Sequence, residues 1–434
     1  MAAMSRFFGV QGMSFFFYYA QKQEKCRSGF ACLAAKMVMN PLSGVVGMNF
    51  FFWLALATLA ALITFGIDGI LGARRIRRLD DIPPEMNGRW PSVSIIIPAL
   101  NEEEHIEEAL GSVLALDYEP LEIIVVNDRS TDATGTILER MARRYPRLTV
   151  LHVENLPQGW LGKSHALHCG AERAGGELLL FTDADVTLEP STLKRAVAAM
   201  VSDRLDHLTL FFRALLPSSL LRMVVLEFGV VLVAFLRPWQ VRHRASRRFI
   251  GIGAFNLVRA AGYRRAGGHL PIRLCPLDDI MLGRLLKSRG LCQDCLYGAR
   301  FVTVPWYASL REMSSGLIKN TFAALDYSVT RLLLLTLLQL AGGIWPVWAL
   351  FLCHGPTRLL NGAIVMLQGI FFVIAARYSG MQCRDVFWFP VTPYLRLAMA
   401  WKAVLVTLWR GGIVWRGTFY SLKELKQGRF SGSR

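Results

Sequence analysis

Three apolar stretches, near residues 46–65, 332–352 and 359–376, constrain this chain more than any motif in it, because each approaches the roughly 20 residues needed to cross a bilayer. Between the first and second lies a long segment of ordinary polar content, so the pattern predicts one soluble-type domain carried on membrane helices. The 434 residues, 53% of them hydrophobic, leave room for both. A fourth apolar region, 386–409, contains Pro390, Pro393, Arg396 and Lys402. It reads as a broken, re-entrant or interfacial segment.

The formal charge of +17 would suit nucleic acid, but the basic residues crowd the ends of the apolar stretches: Arg74, Arg75, Arg77 and Arg78, then Arg410, Arg416, Lys423 and Lys426. That is the positive-inside pattern, and it puts residues 74–331 on the cytoplasmic side. No base-stacking aromatics are interleaved with these charges, so the partner they imply is an anionic bilayer surface and not nucleic acid. Of eight cysteines, only Cys292 and Cys295 have C-x-x-C spacing, and no second pair completes a zinc site. Residues 1–45 lack the plan of a signal peptide, and Met39 or Met48 would serve equally as the start.

The central segment alternates short β-rich runs, Val93–Ile97, Glu122–Val126, Leu148–Leu151 and Glu177–Phe181, with helical patterns at 103–115, 132–145 and 164–174. Such alternation predicts an α/β fold with a mostly parallel sheet. The runs are nearly continuously apolar, without in-out alternation, as expected of strands covered by helices on both faces. In sheets of this kind ligands bind beyond the carboxyl ends of the strands.

Polar residues gather at those ends. The last of the four runs delivers Asp183 and Asp185, a pair suited to a hard divalent cation such as Mg²⁺ or Mn²⁺, which is usually held by one or two carboxylates together with substrate phosphates. A solvated turn would carry the same triplet. After the first run come Pro98, Ala99, Asn101 and Glu102; Pro98 stops the ladder and Asn101 suits a helix cap. After the second, Asp132 suits the helix start, whereas Asp128 comes too early for that and points to the rim. After the third, Gln158 to Lys163 opens a helix with two glycines and a cation, which suits phosphate oxygens or a solvated lysine. Neither G-x-G-x-x-G after the first strand nor a P-loop occurs, which disfavours dinucleotide and P-loop chemistry.

The ordered set, Ile-Ile-Pro-Ala-Leu-Asn-Glu at 96–102, Val-Asn-Asp at 126–128, Gly-Trp-Leu-Gly-Lys at 159–163 and Thr-Asp-Ala-Asp at 182–185, resembles family 2 glycosyltransferases of the GT-A fold. The resemblance runs over about residues 90–330. It implies a nucleotide-sugar donor (UDP- or GDP-sugar) contacted by Pro98, Ala99, Asn101, Glu102 and Asp128, with Lys163 and Asp183 beside it and Asp185 holding the metal. Pro276 to Leu286 looks like the family's Glu-Asp-x-x-Leu-Gly element, with Asp278 in the Glu position and Asp279 as the base that activates the acceptor. From spacing alone, two carboxylates at a helix start would serve equally as cap and dipole partner.

On the acceptor side the resemblance points to Gly253 and Ala254, where small residues permit close approach, and to Trp306 and Arg311 as stand-ins for a Gln/Arg-x-x-Arg-Trp element that this chain lacks between 280 and 330. That departure disfavours processive extension and favours a single transfer to a membrane lipid. The layout resembles bacterial hopanoid-associated glycosyltransferases, which implies the bacterial inner membrane. The expected organisation is a tail at 1–45, a transmembrane helix at 46–73, a GT-A domain at 90–305, an interfacial helix at 306–328, a transmembrane and re-entrant region at 329–410, and a basic cytoplasmic tail at 411–434. Residues 219–236 read as a further interfacial segment, with Arg213, Arg237, Arg242, Arg244, Arg247 and Arg248 around it as a lipid-facing patch. The alternatives are a processive polysaccharide synthase and a catalytically silent membrane-docked nucleotide-sugar-binding protein.

Overall fold

A computed structural model describes residues 50–86 and 88–430. The expected tail at 1–45, the alternative starts Met39 and Met48, and the first positions of the expected first span lie outside the described residues. Helix α1 (Phe50–Arg75) leads into the α/β domain and ends on Arg74 and Arg75.

The main sheet has the order β3-β2-β1-β4-β8-β6-β9. Its strands are β1 (Val93–Ala99), β2 (Leu121–Asp128), β3 (Leu148–Val153), β4 (Leu178–Phe181), β6 (His207–Phe211), β8 (Asn256–Arg259) and β9 (Gln293–Tyr297), while β5 (Thr187–Leu188), β7 (Arg213–Ala214) and β10 (Val302–Val304) form a small second sheet. All pairings in the main sheet are parallel except those of β8, which runs antiparallel to both β4 and β6.

The near-continuous apolarity of the central strands follows from two cores. Successive side chains of a strand point to opposite faces. Ile95, Ile97, Ile123, Val125, Leu178 and Leu180 pack on one face under α2 (Ile106–Leu114), α3 (Thr134–Arg144) and α5 (Thr192–Ser202). Ile96, Ile124, Val126, Leu179 and Phe181 pack on the other under α4 (Gly162–Arg173), α7 (Ala260–Ala266) and α8 (Asp278–Ser288).

Among the described residues four helical segments are long and apolar enough to cross a membrane: Phe50–Arg75, Ser219–Gln240, Val329–Leu352 and Gly355–Tyr378. The second is one more than the sequence pattern predicted. It contains α6 (Ser219–Leu236), which joins β6 to β8, and those two strands are hydrogen-bonded neighbours in one sheet. A single crossing by α6 would put β6 and β8 on opposite sides of the bilayer, so α6 must enter and leave on the same face. It packs through Leu221, Val224 and Val225 against α9 (Leu310–Ala324) and α13 (Thr392–Arg410), and through Met223 and Leu226 against α12 (Gly355–Tyr378).

The segment Val329–Leu352 is α10 (Val329–Gln339), a π turn (Leu340–Ile344) and α11 (Trp345–Leu352). The turn has an identifiable cause. Pro346 has no N–H to give to Gly342 O, four residues back; the Gln368 side chain of α12 donates to that carbonyl instead, at 2.7 Å. Two ion pairs tie α6 into the bundle. Glu227 accepts from Arg396 of α13 at 3.1 Å and from Gln339 at 3.3 Å, and Arg222 grips Asp385 with two nitrogens, at 2.5 and 3.0 Å.

Residues 411–434, expected as a basic tail, are ordered where described. Gly412–Trp415 (β11) and Thr418–Ser421 (β12) form a hairpin, followed by α14 (Leu422–Gln427). Arg416 and Gly417 make its two-residue turn with φ of 50° and 73°. Positive φ at both central positions is what a twisted hairpin requires, and it comes at a steric cost for arginine.

Candidate active site

The strand order reverses between β1 and β4, which opens a crevice beyond their carboxyl ends. Pro98, expected to stop the ladder, lies within β1: pairing with β2 continues to Ala99, whereas β4 ends opposite Ile96. Ile96 faces β4 through its carbonyl, which accepts from Thr182 N. Pro98 shares that side of the strand, so its missing N–H meets no partner strand. Asn101, expected as a cap, instead turns the chain at φ 54° and accepts from Thr131 N at 2.8 Å, tying the β1 and β2 loops together. Glu102 lies in the turn that leads into α2, its carbonyl accepting from Ile106 N at 2.9 Å. Burial, and then Asp185, push the Glu102 carboxyl up to about 7.

Asp128 does not face an open crevice as expected. Its side chain is 0% exposed and is enclosed by two guanidiniums. Arg129 donates through Nε to Oδ1 at 2.7 Å and through Nη2 to Oδ2 at 3.2 Å, and Arg416 donates to Oδ2 at 3.3 Å. A buried carboxylate needs such compensation. Arg416 also reaches Pro98 O at 3.5 Å. The hairpin is fastened beside it: Arg129 donates to Thr418 Oγ1 at 3.2 Å, and Gly162 N, at the start of α4, donates to Tyr420 Oη at 3.2 Å. Gly162 must be small, since a Cβ there would lie 2.6 Å from Asp128 Oδ2.

Lys163, read as a phosphate-facing cation, stands between two carboxylates, 2.6 Å from Asp183 Oδ1 and 3.4 Å from Asp278 Oδ2. Burial works to lower its pKa, but Asp183, Asp278 and Asp279 outweigh that and hold it raised. Burial would raise Asp183, yet Lys163 keeps it below the usual carboxylate range. Asp185, two residues on, is pushed up to about 6 by burial and by Asp183. A cluster of three or more His, Cys, Asp or Glu side chains poised around a metal is absent among the described residues. The donor set fits a hard cation that takes its remaining ligands from a substrate, because among the described residues Asp185 and the second oxygen of Asp183 are oxygen donors that make no ion pair.

Asp278 and Asp279 open α8. Asp279 accepts from Gly253 N through Oδ2 and from Ile280 N through Oδ1, both at 2.8 Å. Burial, then Asp278, push it up to about 6. The helix is seated backbone on backbone: a Cβ on Gly251 would lie 1.8 Å from Asp279 O, and one on Gly283 1.9 Å from Ile250 O.

The expected acceptor-side residues divide. Gly253 lies between the two acid groups. Ala254 is buried in the core and does not line a pocket, its carbonyl accepting from Thr182 Oγ1 at 2.8 Å. Trp306 packs edge-on against Phe212 and stacks on Tyr307, and Arg311 is exposed on α9. Lys319 is recessed with Nζ 4.1 Å from the Trp415 ring centroid. Arg129, Arg416, Tyr420 and Lys319 are the site residues that the sequence pattern did not single out. The only signal was Arg-Gly between two alternating apolar runs, Ile413–Trp415 and Thr418–Tyr420.

A mostly parallel sheet with carboxylates at its switch point defines the GT-A-like class of α/β domain. Comparison with known proteins agrees. Residues 94–257 match the sequence profile "Glycosyl transferase family 2". Proteins named 4,4'-diaponeurosporenoate glycosyltransferase from Staphylococcus aureus strains bovine RF122 / ET3-1 and USA300 are 25% and 26% identical over 358 residues, 78% of this chain and 91% of each relative. The solved mannosyltransferase PcManGT from Pyrobaculum calidifontis, in complex with GDP-Man and Mn²⁺, shares the fold with a TM-score of 0.50 and 21% identity, covering 83% of this chain and 99% of that one. The chain is a glycosyltransferase, and its matched segment is a family 2 domain.

Proposed function

We propose that this glycosyltransferase moves a sugar, with inversion, from a nucleotide-diphosphate donor, a UDP- or GDP-sugar, to a hydroxyl of a lipid-like acceptor at the membrane. The observation that carries this reading is the gap at Gly253. A Cβ there would lie 2.8 Å from Asp183 Oδ2 and 3.4 Å from Asp279 Oδ2, so the β4 carboxylates and the α8 carboxylate face one small space.

Pro98, Ala99, Asn101 and Glu102 rim the nucleotide end, with Asp128 holding Arg416 over it. Asp185, with Asp183, would hold Mg²⁺ or Mn²⁺, and that ion would offset the charge of the departing diphosphate. Asp279 takes the proton of the acceptor hydroxyl, the freed oxygen attacks the anomeric carbon, and the electron pair of the broken C–O bond leaves with the nucleotide diphosphate. Attack from the side opposite the leaving group gives inversion. The Gly253 and Ile280 amides hold Asp279 in place, and Asp278 is paired with Lys163.

The membrane-side wall supports a lipid acceptor. Met313 and Leu317 of α9 pack against α6 and α13, while the same helix turns Lys319 toward the acids. The relatives are named for a carotenoid acid, and a hopanoid-type lipid is an alternative of similar apolarity. Arg74 and Arg75 at the end of α1 support a cytoplasmic catalytic domain on a bacterial inner membrane. The test is incubation of detergent-purified protein with a panel of nucleotide sugars and a bacterial lipid extract, followed by mass analysis. One hexose added to a lipid is expected; a polymer would establish a processive synthase, and no metal-dependent turnover of any donor would establish a silent binding protein.

A further inference from the structure

Lys319 makes no ion pair with any described residue, although it is recessed in the cleft and borne on the helix that adjoins the bundle. Among the described residues its side-chain partner is the face of Trp415, at 4.1 Å. The charged groups that act on it are Lys163, Asp278, Arg416 and Asp183, two cations and two acids, all belonging to the site described above. Both acids are already committed to Lys163, at 2.6 and 3.4 Å, and Arg416 is committed to Asp128. Lys319 therefore brings a third cation to a cleft whose nearest anions are taken. Burial first, and the like charge of Lys163 second, lower its pKa to about 8. A cation held against its own repulsion and desolvation marks a place where an anion is missing.

We propose that Lys319 binds the diphosphate of the nucleotide donor, so that the phosphates lie between the strand ends of the α/β domain and a cationic wall made by α9 and the C-terminal hairpin. A single charge on an acceptor would leave most of the repulsion among Lys163, Lys319 and Arg416 in place. Two adjacent phosphates span the three cations and relieve it. Trp415 positions the ammonium by cation–π contact and by closing the cleft behind it. Both Lys319 and Trp415 lie outside the matched family segment of residues 94–257, so donor binding draws on parts of the chain beyond the catalytic domain. When the C–O bond breaks, its electron pair goes to the β-phosphate oxygen, and the Lys319 ammonium stabilises that charge without giving up a proton.

This rests on the donor being a nucleoside diphosphate sugar, and the experiment separates the two statements. The full-length protein in detergent, with MnCl₂ present, is titrated by calorimetry with UDP and GDP and then with UMP and GMP. Lys319→Gln is expected to weaken diphosphate binding about tenfold to a hundredfold, the range lost with a charge-assisted contact, while monophosphate binding holds. Lys319→Arg, which keeps the charge, is expected to stay within about threefold of the parent. In turnover the donor KM rises and the acceptor KM does not. Equal diphosphate binding by parent and Lys319→Gln overturns the inference, as does an acceptor KM that rises alone, which would assign Lys319 to an anionic acceptor. Failure of the parent to bind any nucleoside diphosphate would instead overturn the proposed donor.

Discussion

Replacing Gly251 by alanine tests whether the position of Asp279 is what the surrounding backbone exists to hold. The new Cβ would lie 1.8 Å from Asp279 O, 2.5 Å from Asp279 C and 3.1 Å from Ile280 N, all of them backbone atoms. No side chain can rotate away, so the first turn of α8 or the 250–253 loop must shift by about 1.5 Å to restore ordinary van der Waals separation. Either shift moves the Asp279 carboxylate relative to the anomeric carbon, because the same loop gives Gly253 N to Asp279 Oδ2 at 2.8 Å. Misplacement of a reacting group by about 1 Å costs on the order of a hundredfold in rate, and overpacking costs about 1–3 kcal/mol of stability. The donor rim at Pro98 to Glu102 is built on β1 and the β2 loop and is untouched. The assay is single-turnover transfer from labelled donor, with nucleotide binding measured in parallel. We expect kcat to fall about a hundredfold with nucleotide affinity retained. A Gly251→Ala enzyme with kcat within about threefold of the parent would refute the claim that this contact positions Asp279.

Asp279→Asn is expected to cut turnover about a thousandfold, the range for loss of a general base, while nucleotide binding persists in calorimetry. Because the Asp279 pKa is raised to about 6 and the base must be ionised to accept a proton, kcat/KM should fall as pH drops through about 6 and level off above it; an acid limb centred near the ordinary carboxylate value would contradict the assignment. Stripping divalent ions with EDTA is expected to abolish transfer, and added Mn²⁺ or Mg²⁺ to restore it, without change in the thermal unfolding midpoint beyond that of ligand linkage. Glu227→Leu leaves the Arg396 guanidinium unpaired, so thermal stability in detergent should drop by about 3 kcal/mol, and adding Arg396→Leu should recover most of it; equal stability of parent and single variant would show the pair to be idle.

Local periodicity made the first half of the domain legible. The β-rich runs at 93–97, 122–126, 148–151 and 177–181 lie within or overlap β1 to β4, because β1, β2 and β4 are buried almost throughout and nearly continuously apolar, while the edge strand β3 keeps enough apolar residues to be recognised. The carboxylates at strand ends were found for the same reason: parallel topology puts such ends on one rim. Pairings that depend on distant segments were not legible. Nothing in Asn256–Arg259 announces that it runs antiparallel between β4 and β6. Asp128 was seen as a rim residue, but its partner Arg416 lies 288 positions away, and no local pattern links them. Ser219–Leu236 has the composition of a span and the connectivity of a helix that cannot cross, and only the sheet pairing of β6 with β8 decides between them.

The contact between Arg416 and Asp128 also sets an order of assembly. The β1 to β4 half emerges early in synthesis, but Asp128 has only Arg129 until the C-terminal helices are in place and the hairpin folds back onto the crevice. A nascent or truncated chain would hold the metal-side carboxylates without the hairpin that walls the cleft. The Asp128 side of the crevice is thereby complete only once residues 412–421 have packed against it.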